Sequence, residues 1–314
     1  MSWLDRAASE VRGTRRDKLS EISGLLDWPG FRRLLADIHS SRRGELAYPP
    51  LVMFKVLLLQ RWYGLSDPEM EEALADRLSF RAFAGLSMED GTPDHSTIWR
   101  FRERLAERGL MMPLLVELAR QLDGRGVVLK QGTLIDATIV QAQARRPRMG
   151  EAKISSTDPD ARFGANNERR RFQFGHKLHA AVDGGSGLVR AVRVTPANVQ
   201  EIGVATELVQ GDEMAVNADR GYDAKRRHDH LAEASIANGV IRRKARNRAL
   251  SSEQVARNHT FSRRRRPLEK LFGTLKRSYR LARVPYFNQA RNTVALTMAC
   301  FAYNLRRLHA LSAP

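Results

Sequence analysis

The nine residues Thr133 to Gln141, TLIDATIVQ, constrain the fold of this chain more than any other stretch. They are short, apolar and β-branched, the pattern of a strand buried inside a sheet. A buried strand needs partners, and the following residues supply them. Residues 172 to 183 (FQFGHKLHAAVD) alternate, with Phe172, Phe174, His176, Leu178, Ala180 and Val182 on one face. Gly184-Gly185-Ser186-Gly187 signals a turn, and Leu188 to Thr195 returns as a third strand. Asn198, with Glu201 three residues on, reads as the cap of a helix. Met214 to Ala218 then reads as a short strand, Asp223 to Ala234 as a helix and Val240-Ile241 as an edge strand. A further helix begins near Pro267, and a last one covers about Asn288 to Leu308. Residues 142 to 171, polar and rich in Gly, Pro, Arg and Asp, read as one long loop. Three strands followed by alternating helix and strand predict a mixed sheet flanked by helices.

Upstream of about Gly126 the pattern is helical. Residues 29 to 40 and 49 to 63 have helical apolar spacing, and a short helix follows from Ser79 to Ala84. Ser66-Asp67-Pro68-Glu69 is a capping-box start with proline in the first turn. Trp62 and Tyr63 are expected in the core of this part. Thr92 to Thr97 opens an amphipathic helix whose apolar side is Ile98, Phe101 and Leu105 and whose polar side carries Arg100, Arg102, Arg104 and Arg108. That helix either reads DNA, with Arg100 and Arg104 on phosphates or bases, or presents a solvated basic face. The fold class is therefore α+β: a helical N-terminal domain, residues 1–125, and a sheet domain, residues 126–314.

Composition excludes several classes of protein. With 314 residues, 42% of them hydrophobic, the chain can bury a core, so disorder throughout is ruled out. The apolar run Val56 to Leu59 is closed by Gln60 and Arg61, too short to span a bilayer, and the opening segment lacks the apolar stretch of a secretory signal. Cys300 is the only cysteine, which excludes an internal disulfide and a cysteine-based zinc site. A cytoplasmic protein without a membrane segment is expected. Its 53 Lys and Arg against 35 Asp and Glu leave +18, and the excess is concentrated. Residues 240 to 283 hold 15 Lys and Arg against two acids, Glu253 and Glu269. Concentrated positive charge is the footprint of a polyanionic partner such as a phosphate backbone.

An acid inside that field needs a reason to be there. So does Asp136, in the middle of the most apolar strand, because burying an ionised group costs several kcal/mol without compensation. Asp219 ends another strand, just before Arg220-Gly221-Tyr222. Each acid alone has an ordinary explanation, as a turn residue or as a complement to a helix dipole. Two strands and a helix bringing three carboxylates together would instead build a site for hard divalent cations, Mg²⁺ or Mn²⁺. On the predicted helix Gly273 lies four residues after Glu269 and Lys276 seven after, on one face. A glycine there leaves room for a substrate backbone, and Lys276 can hold a phosphate; Arg265, four residues before Glu269, lies beside the start of the helix. His176 and His179 point to opposite faces of their strand, so a shared metal is not expected. His179 either faces the active edge with Lys177 or is packed.

These residues resemble those of DDE transposases of bacterial insertion sequences, of the IS-five type. The resemblance rests on Thr133-Leu134-Ile135-Asp136-Ala137-Thr138, on Asn217-Ala218-Asp219-Arg220-Gly221-Tyr222-Asp223 and on Arg265, Glu269 and Lys276 at their spacing. Gly175 to His179 with Val182-Asp183, Val194 to Asn198, and Ser156 to Ala161 extend it. In the N-terminal part it is carried by Tyr48-Pro49-Pro50, Arg61 to Asp67 and Pro93 to Thr97, so it spans nearly the whole chain. One departure is visible: the family's usual Tyr three residues before the Arg is Ser262 here, with Phe261 adjacent.

The resemblance implies an RNase H-like catalytic domain, with Asp136, Asp219 and Glu269 as catalytic metal ligands for two Mg²⁺ ions, Mn²⁺ substituting. It implies a transposase that cleaves the ends of a mobile element at its terminal inverted repeats and joins them to target DNA. The N-terminal domain would bind DNA and support a homodimer. Arg265, Lys276, Arg220, Lys177, His179, Arg100 and Arg104 are the expected DNA contacts. A catalytically silent DNA-binding regulator and an RNase H-like nuclease without strand transfer are the alternatives.

Overall fold

The structure is a computed structural model that describes residues 18–39, 47–148, 154–166, 171–241 and 251–312. Its helices begin with α1 (Lys18–Gly24), α2 (Trp28–Leu35), α3 (Pro50–Tyr63), α4 (Asp67–Asp76), α5 (Leu78–Ala84), α6 (His95–Glu107) and α7 (Met111–Gly124). Helix α3 is apolar nearly all round and is accordingly buried from Leu51 to Phe54 and from Val56 to Leu59. Gly64 ends it in the left-handed region at φ 66°, where a side chain would be strained. The expected capping box opens α4, with the Ser66 N–H donating to Glu69 Oε2 at 2.7 Å. Asp94 caps α6 by accepting the Thr97 N–H at 2.6 Å, and Ile98, Phe101 and Leu105 are buried as the spacing predicts.

Two expectations about these helices change. Arg102 leaves the polar side of α6: it is buried, ion-paired with Asp67 and bonded to Gln60 Oε1 at 3.2 Å. Trp62 is in the core, its Nε1–H donating to the Ala302 carbonyl at 2.9 Å, whereas Tyr63 is 44% exposed and lies against Phe80.

Six strands follow among the described residues: β1 (Thr133–Gln141), β2 (Arg162–Asn166), β3 (Arg171–Asp183), β4 (Val189–Pro196), β5 (Ala215–Ala218) and β6 (Ala237–Asn238). The order is β2-β3-β1-β5-β6, with β4 also paired to β3. Strand β1 pairs along its full length with β3, antiparallel; β3 is also antiparallel to β4, while β5 is parallel to β1 and β6 parallel to β5. The antiparallel strands β4, β3 and β1 continued by the parallel β5 and β6 make the RNase H-like order, with β2 added on β3. Asp183 closes the β3–β4 turn, its buried carboxylate accepting from the Ser186 N–H and hydroxyl, each at 2.7 Å. At Gly175 a side chain is impossible without rearrangement, because its Cβ would stand 2.1 Å from the Val140 carbonyl oxygen.

The later helices are α8 (Glu201–Leu208), α9 (Lys225–Glu233), α10 (Ser252–Arg264), α11 (Arg266–Arg277) and α12 (Gln289–Ser312). Helix α8 covers one face of the sheet, where Ile135, Val216 and Ala218 pack with Val204, Ala205 and Leu208. Helix α11 contacts β1 and β3 through a stripe of Leu268, Leu271 and Leu275.

Three sequence readings of this part are corrected. The 142–171 stretch is not all loop: β2 pairs with β3, and Ala142, Ala144 and Ala161 cluster with Phe174, the only way such small apolar groups leave water. The edge strand is Ala237–Asn238, whereas Val240 and Ile241 are buried and the Ile241 N–H bonds the Ala218 carbonyl. Asn198 does not cap α8; Gln200 occupies that position without a side-chain bond, and Glu201 binds Lys177 instead.

The chain divides into two compact units. One holds the residues up to Gln121 together with those from Thr297 onward, and the other holds Leu122–Leu296. The later turns of α12 thus belong with the N-terminal helices, where Phe301 packs on Phe31 and Phe54, rather than with the sheet as a split at 125/126 has it. Among the described residues no helix is long and apolar enough to cross a membrane.

Candidate active site

The last ladder pair between β1 and β5 is Ile135 with Ala218. Asp136 and Asp219 are therefore the next residues on two adjacent parallel strands, which run about 4.8 Å apart. Beyond Ala218 the β5 strand stops and turns into a short 3-10 segment, Arg220–Tyr222. Burial along β1 drops at that point, from fully buried at Ile135 to partly open at Asp136. The end of β5 thus opens a notch in the sheet, lined by two carboxylates.

Helix α11 is held against β1 at both ends. The segment after it is hydrogen-bonded to the end of β1, with the Gln141 N–H donating to the Ala282 carbonyl at 3.1 Å and the Val284 N–H to Gln141 O at 2.8 Å. At its start, Arg265 joins α10 to α11 and reaches into the notch. Its guanidinium is ion-paired with Asp136 and stands 3.5 Å from Asp219. Glu269, one turn further on, is exposed and adds its charge to those acting on Arg265.

The electrostatics follow from these positions. Burial pushes the Asp136 carboxyl above its ordinary value, and the Asp219 charge adds to the rise; Arg265 and the Ala137 N–H, at 2.8 Å, offset it only in part. Burial also works against the Arg265 charge, but Asp136, Asp219 and Glu269 outweigh it and raise its pKa. One guanidinium contacts two carboxylates and feels the charge of a third. An all-oxygen, electron-rich donor set of this kind suits a hard divalent cation. Among the described residues, no three such groups already stand close enough together to hold one ion.

The other expected site residues are placed as follows. Lys276 is half-buried on α11, Arg220 is exposed beside Asp219, and Ser262 is exposed near the end of α10. A Cβ on Gly273 would meet only the end of the Arg277 side chain, at 2.9 Å, so nothing rigid fills the space beside it. Arg100 is exposed and bonded to Ser96, and Arg104 is bonded to His39; both line one cavity in the helical unit with Tyr48, Thr92 and Thr97.

Lys177 and His179 require correction. Lys177 is buried, its ammonium bonded to the Val199 carbonyl at 2.8 Å and to Glu201 at 2.7 Å. His179 is fully buried against Thr195, and burial, followed by the Lys177 charge, pulls its pKa down to about 4. Neither offers a group to DNA; both tie β3 to its neighbours.

Sequence reasoning missed two features. Helix α10 fell unnoticed, although Ser251 and Gln254 form a capping box three residues apart. The second is a buried polar cluster. Asp158 and His176 are fully buried and 3.0 Å apart, Asp158 also accepts the Asn288 N–H, and Asn292 stands 3.3 Å from His176. It fastens the Ser156–Ala161 segment to β3 and to the start of α12, and the resemblance at Ser156 to Ala161 was its signal.

Two family models match the chain. Residues 8–104 match a transposase domain (DUF772), and residues 129–305, more than half of the chain, match the transposase DDE domain. The chain belongs to the DDE transposase family. It is a transposase of insertion-sequence type. Among solved structures it is similar to a piggyBac transposase synaptic complex with hairpin DNA, at 9% identity over 96% of this chain and 78% of that one, with a TM-score of 0.44. It is similar to a Mos1 mariner paired-end complex with Mn at 14% identity over 82% of this chain and 87% of that one, with a TM-score of 0.23. A Mos1 paired-end complex with left transposon end matches at 11% identity over 82% and 86%, with a TM-score of 0.22.

Proposed function

We propose that this transposase, of the IS-five type, cleaves the ends of an insertion sequence and joins the resulting 3′-hydroxyls to target DNA, with Asp136, Asp219 and Glu269 as its catalytic acids. The observation that carries the reading is the notch itself. Asp136 and Asp219 lie side by side at the ends of paired segments of two parallel strands, and Arg265, which contacts both, lies one turn before Glu269, whose charge it also feels; this supports reading the three as one catalytic set.

By the chemistry of their oxygen donors, Asp136, Asp219 and Glu269 would hold two Mg²⁺ ions, or Mn²⁺ in their place. Such ions would supply activation of the attacking oxygen and stabilisation of the leaving one. In cleavage, water attacks the phosphorus, the bond to the 3′-oxygen breaks, and that oxygen leaves as the 3′-hydroxyl. In joining, the 3′-hydroxyl attacks a target phosphodiester and releases a target 3′-hydroxyl in turn, so no protein nucleophile is consumed. Cys300 is no candidate for that role, being fully buried with its thiol pushed up to about 12 by burial. Lys276 and Arg220 flank the acids and would hold phosphates, while Arg100 and Arg104 would engage the element end. Synapsis of two ends calls for a homodimer on DNA.

The test is cleavage of a plasmid carrying the element ends, in Mg²⁺, by wild type and by Asp136→Ala, Asp219→Ala and Glu269→Ala. Each variant should bind the ends as wild type does and cut none of them. Full cutting by any variant removes that acid from the site, and binding without cutting by wild type identifies a silent regulator.

A further inference from the structure

The guanidinium of Arg265 stands where the acids' positive partner must be. It is half-buried, is paired with Asp136, lies 3.5 Å from Asp219, and has a buried Nε without a hydrogen-bond partner. A planar guanidinium with two acidic partners on adjacent strands bridges them with one side chain. Its position at the junction of α10 and α11 matters equally. The residue that bridges the acids lies one turn before Glu269 on the same chain segment, so the pairing also seats the start of α11 against β1.

We propose that Arg265 is a positioning residue that acts as a resident counter-ion for Asp136 and Asp219 and competes with the divalent metal for them. The inference rests on the reading of these acids as metal ligands. In the metal-free chain Arg265 holds the two carboxylates together against their mutual repulsion and occupies the notch between them. With both carboxylates engaged by a metal ion, the guanidinium would be free to pair with another anion, such as a DNA phosphate. Metal loading and the grip on DNA are thereby coupled through one side chain. Lysine in its place keeps a point charge but cannot engage two carboxylates with a fork.

The test uses the full-length protein without DNA and Mn²⁺ alone as the probe. Binding is followed by loss of the free-ion signal in electron paramagnetic resonance, and unfolding is followed with and without metal. Arg265→Gln should bind Mn²⁺ about tenfold more tightly than wild type, the worth of a charge-assisted contact removed from the competitor. Its Tm should fall in the absence of metal and recover on adding Mn²⁺ by more than that of wild type. Arg265→Lys should lie between the two, which guards against misfolding of the glutamine variant. Equal or weaker Mn²⁺ binding by Arg265→Gln and Arg265→Lys, with Asp136→Asn abolishing it in all backgrounds, would overturn the competition while leaving the acids as ligands. Mn²⁺ binding unaffected by Asp136→Asn would overturn the metal site and the competition with it.

Discussion

Asp136 and Asp219 occupy equivalent positions on two parallel strands, each one residue beyond the last paired residues, Ile135 and Ala218. The pair is sharply placed because β5 ends there while β1 continues to Gln141. A longer acid at the first position therefore tests geometry rather than charge. Asp136→Glu keeps the carboxylate but displaces it by about one methylene, and the cleavage rate should fall on the order of a hundredfold with end binding unchanged. Single-turnover cleavage checks it, and a wild-type rate would mean that the position tolerates loose geometry.

Arg102 and Asp67 fasten α6 to the start of α4 within the helical unit. Arg102→Met keeps the volume but strands Asp67, whose side chain is only 23% exposed, beside Gln60. The expected loss is about 2–3 kcal/mol, the lower part of the range for breaking a buried pair because Asp67 keeps some water. Urea unfolding of the two proteins measures it, and a variant as stable as wild type would show the pair to be energetically idle.

Gly175 lies where β3 passes the end of β1. Gly175→Ala forces its Cβ toward the Val140 carbonyl, a backbone group that cannot yield without shifting β1, so stability should fall by about 3 kcal/mol or more. An unchanged Tm contradicts the register described for these strands.

His179 makes stability depend on pH. Its pKa is about 4 in the folded chain, depressed by burial from the ordinary 6.5, so the unfolded chain binds the extra proton first. The contribution of His179 is fully present above pH 6.5 and is lost progressively as pH falls toward 4, roughly 3 kcal/mol in all. Chemical denaturation between pH 7 and 5 should have a shallower slope in His179→Gln, which can still bond Thr195. A slope identical to that of wild type contradicts a neutral buried imidazole.

How far the sequence carried can be traced through particular residues. Asp136 was legible because a carboxylate amid Leu134, Ile135 and Ile139 contradicts its own strand, and Asp219 because it ends a short one. Arg265 was legible as a residue beside the start of the helix that carries Glu269. Its attachment to Asp136 was not, since that depends on where α11 lands on the sheet, a long-range property no local spacing encodes. Lys177 and His179 misled for the related reason that an alternating strand does not say which face will be covered; here β4 and Glu201 cover both residues. Arg102 looked solvated because its partner, Asp67, lies 35 residues away. Strand β2 was hidden in polar sequence, since an edge strand needs only backbone pairing to β3 and little apolar content.

If the notch between β1 and β5 performs phosphoryl transfer on DNA, as proposed, it should join DNA ends as well as cut them. The most direct measurement supplies pre-cleaved element ends with free 3′-hydroxyls, target plasmid and Mg²⁺, and scores joined products for wild type and for Asp219→Asn. Wild type should join the ends and the variant should join none, although both hold them. Joining by Asp219→Asn at the wild-type rate, or cleavage without any joining by wild type, would contradict that role of the notch.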